Sequence, residues 1–167
     1  MIRTMNDFFK SYNNVRNSTL AIFDSLTDDN LKQAIVDGHR TLAEIAWHIV
    51  VTTAEMMNRT GLELSSIDEE SPPPATAAEI VDGYRKVSQE LTEALKFKWS
   101  DETLLETDNM YGQDWARGTT LQILLNHEIH HRGQMTVLLR QAGAMVKGTM
   151  GPSKDEWEKF GMDLPAY

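Results

Sequence analysis

The chain has 167 residues, no cysteine and a formal net charge of −9. The length is sufficient for one domain with its own hydrophobic core, so we expect a single domain over residues 1–167. The absence of cysteine excludes disulfides, cysteine-based zinc sites and cysteine nucleophiles. The acidic charge argues against nucleic acid and anionic membranes as partners, which leaves small-molecule substrates or protein partners.

The first ten residues, MIRTMNDFFK, carry charges and an amide where a signal peptide has its apolar core. No apolar run along the chain approaches the length of a membrane span. We therefore expect a soluble cytoplasmic protein.

Apolar residues recur at helical spacing in four segments, which predicts four helices. The first segment carries Phe8, Tyr12 and Val15 on one stripe. The predicted helices cover about residues 4–26, 42–58, 77–98 and 120–142.

Three of these helices are preceded by a capping-box pattern, in which a threonine is followed three residues later by glutamate or glutamine. The patterns begin at Thr41 (TLAE), Thr76 (TAAE) and Thr119 (TTLQ). Gly143 stands where a glycine commonly ends a helix, so it is predicted to end the last one.

Four amphipathic helices of this length predict an all-α fold, a four-helix bundle. The connections between helices 2 and 3 and between helices 3 and 4 are long. The first contains the acidic, proline-rich DEESPPP, and the second, with NMYGQDWARG, is expected to form a short hairpin or a structured loop. Residues 143–167 are expected to be a loop-like tail with one helical turn at KDEWEKF.

The stretch NHEIHHRGQ, from Asn126 to Gln134, contains three of the five histidines. On a helix His127 and His131 lie about 40° apart, at the edge of the apolar stripe, where two imidazoles can clamp one metal ion. The competing interpretation is that each histidine is a partly buried side chain bonded to a carboxylate or a carbonyl.

A third ligand would decide between these interpretations, and His48 on the second predicted helix is the candidate. A single histidine beside an apolar stripe is also common as a satisfied core residue. His39 precedes the helix cap and is expected to be exposed. His130 points away from the centre of the stripe and is interpreted as a surface residue or a neighbour of the ligands.

Two other metal motifs overlap this stretch. His127, Glu128 and His131 match the zinc-peptidase pattern His-Glu-x-x-His, but no histidine follows His131 to serve as the downstream ligand. Glu128 and His131 also match half of a di-iron motif, whose other half is missing because Glu44 is followed by Trp47 at the required position. A mononuclear three-histidine site is therefore preferred.

The stretch NHEIHHRGQMTVLLRQAG resembles the last-helix motif of the DinB/YfiT-like metalloenzymes, and TLAEIAWHIVVTTAEMM resembles their second helix. The resemblance covers the whole chain in length and layout. It implies an up-down-down-up four-helix bundle in which His48, His127 and His131 bind one divalent metal ion, with zinc, nickel or iron as the metal. Relatives are often dimers, so a homodimer is the expectation.

Known members of this family include transferases and isomerases that use a low-molecular-weight thiol such as bacillithiol, mycothiol or glutathione. The resemblance therefore implies a metal-dependent transferase with a thiol cosubstrate. The alternatives are a hydrolase that uses metal-bound hydroxide, and a stress-linked bundle without enzymatic activity in which the metal is structural.

Several other side chains near the motif have two interpretations. Glu128 is either a proton acceptor at the metal or a carboxylate that orients a histidine or pairs with an arginine. Arg132 and Gln134 are interpreted as packing residues or as donors to the ligands, without a catalytic role. Tyr111 and Trp115 either line the mouth of a pocket or close the end of the bundle or a dimer contact.

Overall fold

The computed structural model describes residues 2–163, in which four α-helices hold most of the chain. Helix α2 packs against α3 and α4, and α1 packs against α4 and α3, so their apolar faces share one core. Within the described residues, no helix combines the length and the apolar character that a bilayer span requires. The helices are α1 (Met5–Phe23), α2 (Leu42–Asn58), α3 (Ala77–Lys98) and α4 (Arg117–Gln141).

The first three helices begin at threonine capping boxes. Thr41 Oγ1 accepts a hydrogen bond from the Glu44 backbone N–H at 3.3 Å, and Glu44 Oε2 accepts one from the Thr41 N–H at 2.6 Å. The same exchange caps α3 at Thr76, as the sequence predicts. Thr4 caps α1 in the same way, with Asp7 as the acid. The sequence pattern did not predict this cap because it requires glutamate or glutamine at that position.

The capping box predicted at Thr119 is wrong. Helix α4 begins earlier, at Arg117, and Ala116 before it has no side chain that can cap. The Arg117 N–H donates to the Glu106 carbonyl at 2.8 Å, and Arg117 Nε donates to Asp108 Oδ2 at 2.8 Å. These partners belong to the preceding segment, so the start of α4 is fixed by a contact outside the helix.

A β-hairpin connects α3 to α4. Strands β1 (Thr107–Met110) and β2 (Gln113–Ala116) pair antiparallel, and the turn residues Tyr111 and Gly112 have φ angles of 57° and 83°. Two positive φ angles are typical of the tight turn that matches strand twist, and Asn109 Oδ1 accepts the Gly112 N–H at 3.2 Å. The fold is therefore mostly helical with a two-stranded sheet, which corrects the strictly all-α prediction and confirms the hairpin alternative.

Two helix ends and the tail differ in detail from the sequence pattern. Helix α1 ends at Phe23 rather than at Leu26, because the N–H groups that follow bond to carbonyls three residues back and tighten the chain into turns. Helix α4 ends as predicted before Gly143, whose φ is 79°. The predicted helical turn in the tail is a 3-10 helix, Lys154–Phe160.

The connection between α2 and α3, residues 59–76, is held by hydrogen bonds that side chains of α2 make with its first and second halves. The side-chain amide of Asn58 accepts the Leu64 N–H at 2.5 Å and donates to the Leu64 carbonyl at 2.9 Å. Trp47 Nε1 donates to the Ser71 carbonyl at 2.9 Å. The indole of Trp47 is therefore held in one position over α3.

Gly83 on α3 provides a test of this packing. A Cβ atom at this position would lie 2.6 Å from Cζ3 and 3.0 Å from Cη2 of Trp47. The rigid indole cannot retreat without losing its hydrogen bond to Ser71. We expect Gly83→Ala to lower the free energy of unfolding by about 1–3 kcal/mol, measured by urea denaturation.

Gly133→Ala is the matched control, because Gly133 lies on the exposed face of α4 and a Cβ there would meet no atom within 4 Å. This variant should gain up to about 1 kcal/mol, since alanine favours a helix interior over glycine. A Gly83→Ala protein as stable as the wild type would contradict the packing described for Trp47.

Candidate metal centre

Three histidine side chains from two helices converge on one point. Nε2 of His127 lies 3.2 Å from Nε2 of His48 on α2 and 3.0 Å from Nε2 of His131, one turn later on α4. Nitrogen ligands that bind one zinc ion at about 2.0–2.1 Å stand roughly 3 Å apart. The three-histidine cluster expected from the sequence is thus present, and its donor atoms, all within 4.8 Å of one another, are compatible with a bound metal ion.

Hydrogen bonds on the far side of the rings orient two of these histidines. His48 Nδ1 lies 3.2 Å from Thr52 Oγ1, and His131 Nδ1 lies 2.8 Å from Gln134 Oε1. A neutral imidazole that donates its Nδ1–H to these oxygens keeps the Nε2 lone pair free and directed into the cluster. The surrounding side chains therefore prepare the Nε2 atoms as ligands.

The cluster also keeps its imidazoles uncharged. Burial lowers the pKa of His48 to about 4, and the positive charge of Arg40 adds to this effect. Burial likewise lowers the pKa of His127 to about 4, with the neighbouring imidazole of His131 contributing. Burial also lowers the pKa of His131, although its hydrogen bond to Gln134 acts in the opposite direction. Near neutral pH all three rings are unprotonated, as metal ligands must be.

Glu128 lies between the cluster ligands His127 and His131 along α4 but faces α1 and α3, about 60° around the helix from His131 and about 100° from His127. Its Oε1 accepts hydrogen bonds from Thr19 Oγ1 on α1 at 2.6 Å and from the Tyr84 hydroxyl on α3 at 2.5 Å. Burial raises the pKa of Glu128, while these hydrogen bonds and the charge of Arg132 act against that rise. Among the described residues no hydrogen bond joins Glu128 to the three histidines. The geometry favours a role in holding α4 against α1 and α3 over a role as a base.

Arg132 belongs to the same buried group. Its Nη1 donates to the Val15 carbonyl at 3.1 Å and to Thr19 Oγ1 at 3.3 Å, and its side chain is 3% exposed. Arg132 and Glu128 stand one turn apart on α4 and attract each other electrostatically. Thr19 Oγ1 connects them, because it accepts a hydrogen bond from Arg132 and donates one to Glu128. Arg132 therefore packs the bundle and lies away from the histidine cluster.

The other histidines stand outside the cluster. Gln134 Nε2 lies 3.2 Å from His130 Nε2, so Gln134 bridges His130 and His131. His130 is otherwise exposed, and so is His39. His130 is thus a neighbour of a cluster histidine through one amide, in agreement with its expected position.

Tyr111 and Trp115 fasten the hairpin to α2. The Tyr111 hydroxyl donates to Glu55 Oε2 at 2.6 Å, and the Arg59 guanidinium lies 4.7 Å above the centre of the Tyr111 ring. The Trp115 ring packs against Tyr111 with their centres 5.8 Å apart. These contacts place both aromatic residues beside the C-terminal half of α2, where Tyr111 stays 52% exposed.

A cavity of about 540 Å³ opens beside His131. It lies between the segment that precedes α2 and the C-terminal half of α4. Most of its lining surface is apolar, and polar groups are few, which is typical of small-molecule sites. The lining residues are Ile35, His39, Arg40, Ile45, His131, Gln134, Val137 and Leu138.

The sequence interpretation missed four residues of the site and of the network behind it. Thr52 follows His48 by one helical turn, so helical spacing could have identified it. Arg40 carried no signal, because a lone arginine before a helix cap is common. Thr19 and Tyr84 are 109 and 44 residues away from Glu128 along the chain, and no local pattern connects them to it.

Comparison with known proteins gives a consistent family assignment. The DinB family model matches residues 1–163. A Bacillus subtilis (strain 168) relative, described as uncharacterized protein YrdA, is 42% identical over 165 residues, which is 99% of each chain.

Two solved structures resemble the fold. A DinB-like protein from Bacillus cereus ATCC 10987 is 41% identical with a TM-score of 0.85, over 89% of this chain and 99% of that one. A DinB-like protein from Bacillus subtilis, YjoA, is 16% identical with a TM-score of 0.67, over 83% of this chain and 94% of that one. The second likeness concerns the fold alone.

The buried pair on α4 gives a prediction about stability. Arg132→Met should lower the free energy of unfolding by about 1–3 kcal/mol, because it removes the donor to the Val15 carbonyl and to Thr19 Oγ1 and the positive charge that favours the Glu128 carboxylate. The double variant with Glu128→Gln should lose less free energy of unfolding than the sum of the losses in the two single variants. The difference, which is the coupling free energy, should be about 1 kcal/mol or more. Urea denaturation of the four proteins measures the coupling, and additive losses would contradict the pairing.

The cluster histidines give a prediction about pH in EDTA-treated protein. The folded-state pKa of His127, about 4, lies below the ordinary value of 6.5, so the unfolded chain takes up the proton first as the pH falls. The stability that this group contributes is complete above pH 6.5 and is lost between pH 6.5 and about 4. Urea midpoints across this range should fall less steeply in His127→Gln, whereas the exposed His39→Gln should follow the wild type. An unchanged slope in His127→Gln would contradict the assignment.

Proposed function

The chain belongs to the DinB family, and we propose that it is a metal-dependent transferase that uses a low-molecular-weight thiol. In this proposal His48, His127 and His131 bind one divalent ion, either zinc, nickel or iron. The helices adopt the up-down-down-up arrangement of the family, and the protein is a cytoplasmic homodimer.

The observation that carries the proposal is the convergence of three neutral imidazoles whose Nε2 atoms lie 3.0 and 3.2 Å from their neighbour. The three rings are unprotonated, and no acidic side chain of the described residues lies among them. Their nitrogen lone pairs point into the same space, where a cation would be bound. Thr52 and Gln134 support the same arrangement from behind. Imidazole suits zinc, nickel and iron alike, so the donor set fits each proposed metal.

The chemistry follows from a donor set that brings no negative charge. A divalent ion on three neutral ligands acts as a Lewis acid that ionises a coordinating thiol. The chain has no cysteine, so such a thiol comes from solution. The residues of the chain hold the three rings, keep them unprotonated and border the cavity beside His131, which we propose as the route by which small molecules reach the cluster.

The hydrolase alternative assigns Glu128 as the base, and no observation favours it. Glu128 is 2% exposed and its Oε1 accepts hydrogen bonds from Thr19 and Tyr84, while its Oε2 is buried without a hydrogen-bond partner among the described residues. We propose that Glu128 positions α4, so that its replacement affects folding stability before it affects chemistry.

Metal analysis tests the site. Protein purified without a nickel column should hold about one equivalent of a divalent metal, and His48→Ala and His127→Ala should each hold less than about a tenth of that. His39→Ala is the matched histidine outside the cluster and should retain its metal. Gln134→Leu should lower the affinity about 10- to 100-fold by removing the acceptor of His131 Nδ1–H, and Gln134→Glu should restore most of it.

The transferase activity is tested with the same variants. Consumption of bacillithiol or glutathione with monochlorobimane should be fast in the wild type and should be lost in His127→Ala. Equal rates in both proteins would overturn the transferase proposal. A metal content unaffected by His48→Ala and His127→Ala would overturn the metal site itself.

A further inference from the structure

The wall of the cavity beside the histidine cluster is formed in part by apolar side chains that are not packed in the hydrophobic core. Ile35 is 56% exposed and Val137 is 50% exposed, although both are apolar. Together with Ile45 and Leu138 they line the space of about 540 Å³ next to His131. Exposed apolar side chains arranged around a concave space favour an apolar molecule as its occupant.

One charged residue stands at this wall. Arg40 lines the cavity beside His131 and also a second cavity of about 220 Å³ that His48 borders. It therefore lies between the two openings that flank the cluster.

The guanidinium of Arg40 is free among the described residues. Arg117 and Arg132, by comparison, donate to a carboxylate and to a carbonyl. Glu44 borders the smaller cavity, but its carboxylate accepts the Thr41 N–H as the cap of α2, and it makes no ion pair with Arg40. An arginine with unused donors beside a cavity is available for a ligand.

The backbone holds Arg40 in place. The Leu42 N–H donates to the Gln33 carbonyl at 2.7 Å, and the Ala43 N–H donates to the Leu31 carbonyl at 3.0 Å. The segment from residue 31 to residue 41 is therefore fastened to the first turn of α2. Arg40 and Ile35 belong to this fastened segment, so the wall of the cavity is formed before any ligand arrives.

The charged groups around the cavity favour a negatively charged ligand. The whole chain carries a formal charge of −9, yet the described residues that line this cavity include Arg40 and no acidic residue, and any divalent ion bound at the neighbouring cluster would add positive charge. Such a local reversal attracts anions to the opening. A single guanidinium offers two parallel N–H donors, the pattern that matches a carboxylate.

We propose that this cavity binds a small carboxylic acid with an apolar body, with Arg40 holding the carboxylate and Ile35 and Val137 contacting the apolar part. The inference rests on the proposed function, because it assigns the substrate class of the same centre. Arg40 is a specificity residue in this account and takes no part in holding the metal.

Calorimetric titration with 4-phenylbutyrate and its neutral analogue 4-phenylbutanamide tests the proposal, in EDTA-treated and in zinc-loaded protein. In both states the acid should bind about tenfold more tightly than the amide, the difference expected for a charge-assisted pair. Arg40→Gln should abolish this preference. Arg85→Gln, which removes an exposed arginine paired with Asp82 on α3, should retain it.

A second variant locates the binding. Val137→Asp places a carboxylate on the wall of the cavity and should lower the affinity for the acid more than the affinity for the amide. If the ligands bound at a remote site, this substitution would leave both affinities unchanged. Both Val137 and Arg40 are exposed, so these substitutions should leave the melting temperature near that of the wild type.

The outcomes separate this inference from the proposed function. Equal binding of acid and amide, no binding of either at millimolar concentration, or a preference that survives Arg40→Gln would overturn the role of Arg40. A preference that appears only with zinc and ignores Arg40→Gln would overturn it and leave the metal centre intact. An Arg40-dependent preference in a protein that takes up no metal would support the cavity and overturn the proposed function.

Discussion

The hydrogen bonds to the buried carboxylate of Glu128 determine how α4 is rotated in the bundle. Thr19 and Tyr84 donate to it from two different helices, and a carboxylate buried without such donors would lose its solvation uncompensated. Residue 127 is offset from residue 128 by about 100° on the helix. With Glu128 held against α1 and α3, His127 on the adjacent face of α4 is directed toward His48 on α2, so packing on one face of α4 helps to orient the cluster on the next.

The β-hairpin also connects α2 and α4, the two helices that carry the cluster histidines. Arg117, at the start of α4, bonds to Asp108 in β1, and Tyr111 at the turn bonds to Glu55 on α2, two helical turns after His48. One short hairpin thus connects the helix that supplies His48 to the helix that supplies the other two rings. The buried network fastens α4 to α1 and α3, and the hairpin fastens α4 to α2.

Local rules predicted the parts of this structure whose partners are close in sequence. The caps at Thr41 and Thr76 and the terminal position of Gly143 depend on residues a few positions away, and the pairing of His127 with His131 needs only helical periodicity. The start of α4 was missed because Arg117 is held by acids of the hairpin. The partners of Glu128 were missed because the chain has to fold before they meet.

The separation of the cluster residues along the chain has a consequence for synthesis. His48 and His127 are 79 positions apart, and the helix that carries His127 is the last of the four to leave the ribosome. During most of translation the nascent chain therefore contains only one of the three cluster histidines, His48. The three-histidine cluster can form only after the C-terminal helix has emerged and docked, so a product that ends before residue 127 lacks two of its three imidazoles.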